Sequence, residues 1–203
     1  MQIVGRRSSV FTRMPLLFAE ELGVAVEVVP IADMMQLGPE AYAGNPALKL
    51  PILRRGDEVL FGAQNICRAI AESSRSHKRV VWPEALTDTL SRNAQELVWH
   101  LMTAQVQLVM GTVVNKLPAD NGYFVKARSG MQGSLGWLDE NLVRCLAVLP
   151  RADLSLFEVS LFCLLEHLVF RPTMPLEPYP ALREFVAGWG TRDSARATAY
   201  RFD

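Results

Sequence analysis

Two short stretches carry residue types that could do chemistry. In "GRRSSVFTRM", residues 5–14, Ser8 and Ser9 stand just before a run with helical spacing. A helix start presents unpaired backbone N–H groups and a partial positive charge, so it favours an anion, and a serine hydroxyl there can donate one more hydrogen bond to it. The same hydroxyl can instead accept from the helix backbone as an N-cap, and Ser9 is open to both roles. Ser8 is one residue away and could serve in its place; Thr12 is a third choice. In "NPALKLPIL", residues 45–53, Pro51 lies between two apolar runs. Proline cannot donate to a sheet ladder, so it belongs at the first residue of a strand, at an edge or in a turn, and the pattern marks a site as well as a strand.

Other chemistries find less support. His77, His100 and His167 have no partner carboxylate identifiable from sequence, so no catalytic histidine is assigned. Cys67, Cys145 and Cys163 are odd in number, widely spaced and set in apolar helical sequence, which suits reduced buried thiols better than disulfides or metal ligands. No metal site is expected. The 203 residues are 50% hydrophobic and 21% charged, enough for one large or two small globular domains. Lys plus Arg equals Asp plus Glu at 21 each, leaving no basic excess for phosphates, so nucleic acid is not an expected partner. With no continuous apolar stretch suited to a signal peptide, no membrane is expected and the chain reads as cytoplasmic.

The elements that must position these residues fall into two halves. "QIVG" reads as a strand, and "VFTRMPLLFAEELGV" as a helix stopped at Gly23. Pro15 lies beyond the first turn of that helix, so a kink or a late start is expected. "AVEVVPI" alternates as a strand; "PILRR", the turn Gly56-Asp57 and "EVLF" read as a hairpin; "AQNICRAIAESS" is a helix. Beyond residue 75 the strand pattern stops. Residues 76–86 read as a linker, and the run from there to about Asn115 as a long helix. "YFVKARSGMQGSLGWLDENLVRCLAVL" is a further helix weakened by Gly130, Gly133 and Gly136. "SLFEVSLFCLLEHLVF" is apolar nearly all round, as a helix buried among others would be, and opens with the Ser155/Glu158 spacing of a capping box.

The order strand, helix, strand, loop, Asn-Pro-x-x-Lys-x-Pro-x-Leu (Asn45, Pro46, Lys49, Pro51, Leu53), hairpin, helix, linker and all-helical half resembles the cytosolic glutathione transferase superfamily, bacterial-type, with serine at the activating turn. "SLFE" and "YPALREFVAGWGTRDSARAT" resemble that family's buried central helix and terminal segment. The resemblance implies a thioredoxin-like α/β domain over residues 1–75 that binds glutathione, a linker at 76–86 and an all-α domain over 87–203. It implies a cis peptide before Pro51, with the backbone of Leu50 paired to the cysteinyl part of glutathione. Ser9, or Ser8, would hold the thiol as thiolate; an unperturbed thiol has a pKa of about 8.5, and a helix start with a hydroxyl donor lowers it. Val10, Lys49, Gly62, Ala63 and Gln64 match further glutathione-contacting positions, although Lys49 also reads as a solvated surface lysine. Trp99, His100 and Met102 are candidates for the wall of an electrophile pocket, or core residues at helical spacing. A homodimer is a further family expectation.

One departure stands against the pattern. Where the family carries an acidic residue and a serine to hold the γ-glutamyl ammonium and carboxylate, this chain has Gly62 and Ala63. Hydrogen bonds to charged groups are worth about 1.5–3 kcal/mol each, so losing two weakens binding by roughly two to four decades. Gln64 or Asn65 could make up part of the loss, or simply cap the helix. The absence of cysteine from the turn before the first helix disfavours thiol-disulfide reduction. Two expectations follow. The first is a transferase joining the glutathione thiolate to a small hydrophobic electrophile, as in detoxification; the second is a non-catalytic binding or interaction module with a degraded γ-glutamyl site.

Overall fold

A computed structural model describes residues 1–31 and 33–203. The chain divides into two compact units, residues 1–77 with 191–203, and residues 78–190. The helical half therefore does not extend to residue 203. The last thirteen residues join the first unit, for a reason visible in its first helix.

The first unit is built on a four-stranded mixed sheet. Its strands are β1 (Gln2–Val4), β2 (Glu27–Val29), β3 (Ile52–Arg55) and β4 (Glu58–Phe61), in the order β2-β1-β3-β4. β1 runs parallel to β2 and antiparallel to β3, and β3 forms the expected hairpin with β4. Two helices, α1 (Val10–Leu22) and α2 (Ala63–Ser73), pack on each other. Ile3, Leu17, Phe18, Ile52, Leu53, Ile66 and Ile70 are enclosed completely or nearly so. Burying such a side chain is worth about 1.5–3 kcal/mol, which is what holds so short a sheet together. α1 begins at Val10 and runs through Pro15 to a left-handed Gly23. A late start is not what occurs.

α1 carries a buried arginine that explains the unit's second segment. Arg13 is 1% exposed; its guanidinium donates to the Ala195 carbonyl at 3.1 Å and lies 4.3 Å over the Tyr200 ring. One face of a long apolar helix thus supplies a charge that must be satisfied, and the chain end satisfies it. Nearer the helix C-terminus, Glu21 accepts from the Ser194 hydroxyl at 2.6 Å and pairs with Arg192 at 3.2 Å. Residues 192–203, including the short helix over Asp193–Ala197, are thereby bound along α1.

The second unit is helical apart from a parallel pair, β5 (Val80–Val81) with β6 (Leu154–Ser155). Its helices are α3 (Thr89–Leu108), α4 (Gly122–Ala147), α5 (Leu156–Phe170) and α6 (Pro180–Trp189). α3 continues as a π-helical turn over Val109–Val114, where Gly111 leaves room for Phe124; a Cβ there would fall 2.3 Å from the ring. Together Thr89–Val114 is long and apolar enough to cross a membrane by length and composition, yet α3 packs on α4 and α5 as a core helix does. α4 is continuous through Gly130, Gly133 and Gly136. α5 is enclosed on nearly every side, as its sequence requires. Cys67, Cys145 and Cys163 are all buried, and burial followed by the charge of Asp88 pushes the Cys145 thiol pKa up, keeping it protonated and unreactive.

Candidate functional site

Sheet register brings the chemistry together. Val4 lies opposite Ile52, and Ile52 opposite Phe61. The chain leaves β1 at Gly5, enters β3 from Pro51 and leaves β4 at Gly62, so all three junctions lie at one end of the sheet. α1 and α2 also begin there, because each follows its strand within a few residues. Two helix N-termini at one sheet end, neither with an acidic residue in its first turn, make a setting that favours an anion.

Gly5 lets α1 come close to the sheet: a Cβ at residue 5 would lie 2.7 Å from Thr12 Oγ1. Thr12 is fully buried in that contact, so it is withdrawn from ligand. Ser9 is the N-cap, in extended backbone, and its Oγ accepts from the Thr12 N–H at 3.4 Å. That bond is long for N–H···O, and as acceptor the hydroxyl keeps its own proton to donate. Ser8 is 8% exposed and Val10 is fully enclosed. Of the three hydroxyls, Ser9 is the one both partly exposed and at the helix start.

The Leu50–Pro51 peptide is cis. Asn45, itself 4% exposed, shapes the loop before it: its side chain accepts from the Ala47 N–H at 3.0 Å and donates to the Lys49 carbonyl at 2.8 Å. The Pro51 carbonyl accepts from the Gly62 N–H at 3.3 Å, tying this loop to the start of α2. Leu50 packs its side chain beside the cluster of Val4, Ile31, Tyr42 and Ile52. Among the described residues neither its N–H nor its C=O has a partner. The result is a short open edge of main chain, able to pair with an extended peptide. The Lys49 side chain is exposed beside it.

Gly62 has φ +88°, a conformation that a side chain makes costly. α2 has no side-chain cap, and among the described residues the N–H groups of Ala63, Gln64 and Asn65 have no acceptor. Asn65 does not cap them; its amide donates instead to the Phe61 carbonyl at 3.0 Å. Ala63 is buried and Gln64 half-buried.

The three residues considered for an electrophile pocket belong to the second unit and differ in setting. Met102 is completely enclosed in the helical core, whereas Trp99 is half-buried. His100 is exposed and lies 3.2 Å from Glu96, one turn earlier, so the view that no carboxylate neighbours it is corrected; the i,i+4 spacing was there to be read. No group of three or more metal-ligating side chains occurs among the described residues. The contributions of Asn45 and Arg13 were missed by sequence reasoning. For Arg13 a signal existed, a lone charge among the otherwise uncharged residues 10–19. The Arg7 N–H donates to the Asp203 carboxylate across nearly the whole chain length, and nothing local announces that contact.

Residues 8–73 match the family model "Glutathione S-transferase, N-terminal domain". A maize protein, glutathione S-transferase 4, is 36% identical over 102 residues, covering 49% of this chain and 43% of that relative, so the match spans less than half the relative's length. Among solved structures, a glutathione S-transferase from Methylobacillus flagellatus with glutathione bound superimposes with TM-score 0.77 at 21% identity, covering 98% of this chain and 99% of that one. A glutathione transferase family member from Pseudomonas fluorescens with bound S-(propanoic acid)-glutathione has TM-score 0.73 at 21% identity, with 98% and 99% coverage. Residues 8–73 are thus similar to a glutathione S-transferase N-terminal domain, and the chain has the fold of the solved glutathione S-transferases, a thioredoxin-like α/β part followed by a helical part.

Proposed function

We propose that this chain is a glutathione S-transferase that joins the glutathione thiolate to a small hydrophobic electrophile. The observation that carries the reading is the open main chain of Leu50 beside cis-Pro51, at the same sheet end as Ser9. An extended cysteinyl peptide pairs with that edge as an added strand and brings its sulfur toward the start of α1. There the helix N-terminus and a hydroxyl proton from Ser9 favour the thiolate, the form that attacks. Holding the two reactants together supplies the rest, since proximity alone can replace several kcal/mol of barrier. The neighbours that hold glutathione and S-(propanoic acid)-glutathione support ligands of this kind. A homodimer and a cytoplasmic setting belong to the same proposal.

Gly62 and Ala63 favour a second reading, a glutathione transferase fold that has lost the γ-glutamyl clamp and serves binding without catalysis. Calorimetric titration with reduced glutathione, paired with a chloro-nitrobenzene conjugation assay on wild type and Ser9→Ala, separates the two. Binding with Kd between about 1 μM and 10 mM, and turnover that falls with the hydroxyl, is the expected result. No heat up to about 10 mM and no turnover would end the enzyme reading.

A further inference from the structure

The chain segments that form the candidate site carry ionic charge of one sign. Residues 1–19, 41–56 and 59–71 supply β1 with most of α1, the loop into β3, and most of β4 and α2, and they contain no Asp or Glu. The acids of the sheet and its two helices stand at the other end. Glu20 and Glu21 lie in the last turn of α1 and Glu72 in that of α2; Glu27 is opposite Gln2, and Asp57 and Glu58 are at the hairpin turn. The carboxylate that reaches the β1–α1 turn, that of Asp203, is engaged by the Arg7 N–H at 2.9 Å. In the loop beyond β2, Asp33 is taken by the Met35 N–H and the Gln36 amide at 2.8 and 2.9 Å, and Glu40 folds over Gly38, where a Cβ would meet its Oε2 at 2.5 Å.

The start of α2 is therefore equipped for a carboxylate and not for an ammonium. Its N–H groups at Ala63, Gln64 and Asn65 have no acceptor among the described residues, and the helix pole adds partial positive charge. An ammonium held among these donors meets like charge and finds no carboxylate; an anion finds donors in place. The backbone maintains this choice, since Gly62 at φ +88° makes any side chain at residue 62 costly, a carboxylate included. The Gly62 N–H also donates to the Pro51 carbonyl at 3.3 Å, so a peptide paired with the open edge of Leu50 has the start of α2 beside it.

We propose that the thiol preferred by this site carries, in the arm lying over α2, a carboxylate with no ammonium beside it: a dicarboxylic acyl-cysteinyl thiol instead of a γ-glutamyl one. The inference rests on the proposed transferase reading for the thiol and its pairing with Leu50, and departs from it in the identity of that arm. Gly62 and Ala63 are then the fitting surface for a different arm, not the remains of a clamp.

The test is calorimetry of the full chain with three reduced thiols that differ only in the arm, each also run in the conjugation assay. Glutathione has both charges, glutaryl-cysteinyl-glycine lacks the ammonium, and butanoyl-cysteinyl-glycine lacks the ammonium and the carboxylate. The glutaryl thiol is expected to bind at least about tenfold tighter than glutathione, and the butanoyl thiol at least about tenfold weaker than the glutaryl one. Gln64→Glu puts a carboxylate in the first turn of α2 without unusual backbone, and should narrow the preference for glutaryl over glutathione about threefold. Glutathione binding as tightly as the glutaryl thiol, the butanoyl thiol binding as tightly as the glutaryl one, an unchanged preference in folded Gln64→Glu, or no heat from any of them up to about 10 mM would each overturn the proposal. If glutathione binds the tightest and is conjugated, only this inference fails. If the glutaryl thiol binds the tightest and none of the three is conjugated, only the transferase reading fails.

Discussion

Ser9 and Ser155 are the same residue type at the same position, the N-cap of a helix, and the structure uses them differently. At α5, Ser155 Oγ accepts from the Glu158 N–H at 3.1 Å and donates its own proton to Glu158 Oε2 at 2.6 Å. Both capacities of that hydroxyl are spent inside a fold where Ser155 is 2% exposed. The glutamate closes on the hydroxyl, not on the serine N–H as the usual capping box has it. At α1, Ser9 accepts from the Thr12 N–H at 3.4 Å and is partly exposed. A cap that is fully engaged stabilises; a cap with a long acceptor bond and a proton in hand is equipped to serve a ligand.

The largest expected effect falls on the loose cap. Ser9→Ala should lower conjugation on the order of 10²-fold, the usual loss for one donor aimed at developing charge, while unfolding free energy changes by less than about 0.5 kcal/mol. Denaturant unfolding alongside initial rates checks both halves. A stability loss as large as that of a structural cap would erase the contrast with Ser155.

The start of α2 sharpens the comparison, because it has no side-chain cap at all. Ala63→Ser places a hydroxyl at the first helical residue without demanding unusual backbone. One hydrogen bond to a ligand carboxylate is worth about 1.5–3 kcal/mol, so glutathione should bind roughly ten- to a hundredfold tighter in calorimetry. Gly62→Glu, by contrast, must hold φ near the +88° seen here and should cost about 1–2 kcal/mol of stability. If Ala63→Ser leaves affinity unchanged, α2 does not face the ligand's carboxylate. Next in size is Ser155→Ala, expected to lower unfolding free energy by about 1–2 kcal/mol with conjugation per folded molecule unchanged.

What the sequence made legible was what local physics determines. Gly23 closing α1, Gly56-Asp57 turning the hairpin, and Ser155 opening an apolar helix each act within a few residues, and each appears where its chemistry places it. The order of elements, with the Asn45-to-Leu53 motif, carried the fold. Contacts distant in sequence were not legible. Residues 191–203 looked like the end of a helical half, and only the satisfaction of buried Arg13 and Glu21 draws them to the first unit. The same distance hides Asp203 at the Arg7 turn. At the candidate site, residue types announced Ser9, Pro51 and the oddity at Gly62, but the role of Asn45 required seeing which donors and acceptors its amide joins.

The smallest effect concerns a third cap, Asp88 at the start of α3. Its carboxylate accepts from the Ser91 hydroxyl and from the Ser91 N–H at 2.9 Å, and these bonds, the hydroxyl's first, lower its pKa from the ordinary 3.8. A carboxyl whose folded pKa lies below its unfolded value contributes stability that is fully present above the unfolded pKa and is lost as pH falls through the folded one. The contribution should therefore be constant near neutrality and disappear only below about pH 4. In Asp88→Asn the acid limb of the stability profile should flatten, while the neutral plateau drops slightly because the amide still accepts from the helix N–H. Ser9 has no such titrating group in its cap, so Ser9→Ala should leave the acid limb superimposable on wild type. Parallel shifts in both variants would mean that the two helix starts are energetically coupled, and the division between a structural and a ligand-serving cap would have to be redrawn.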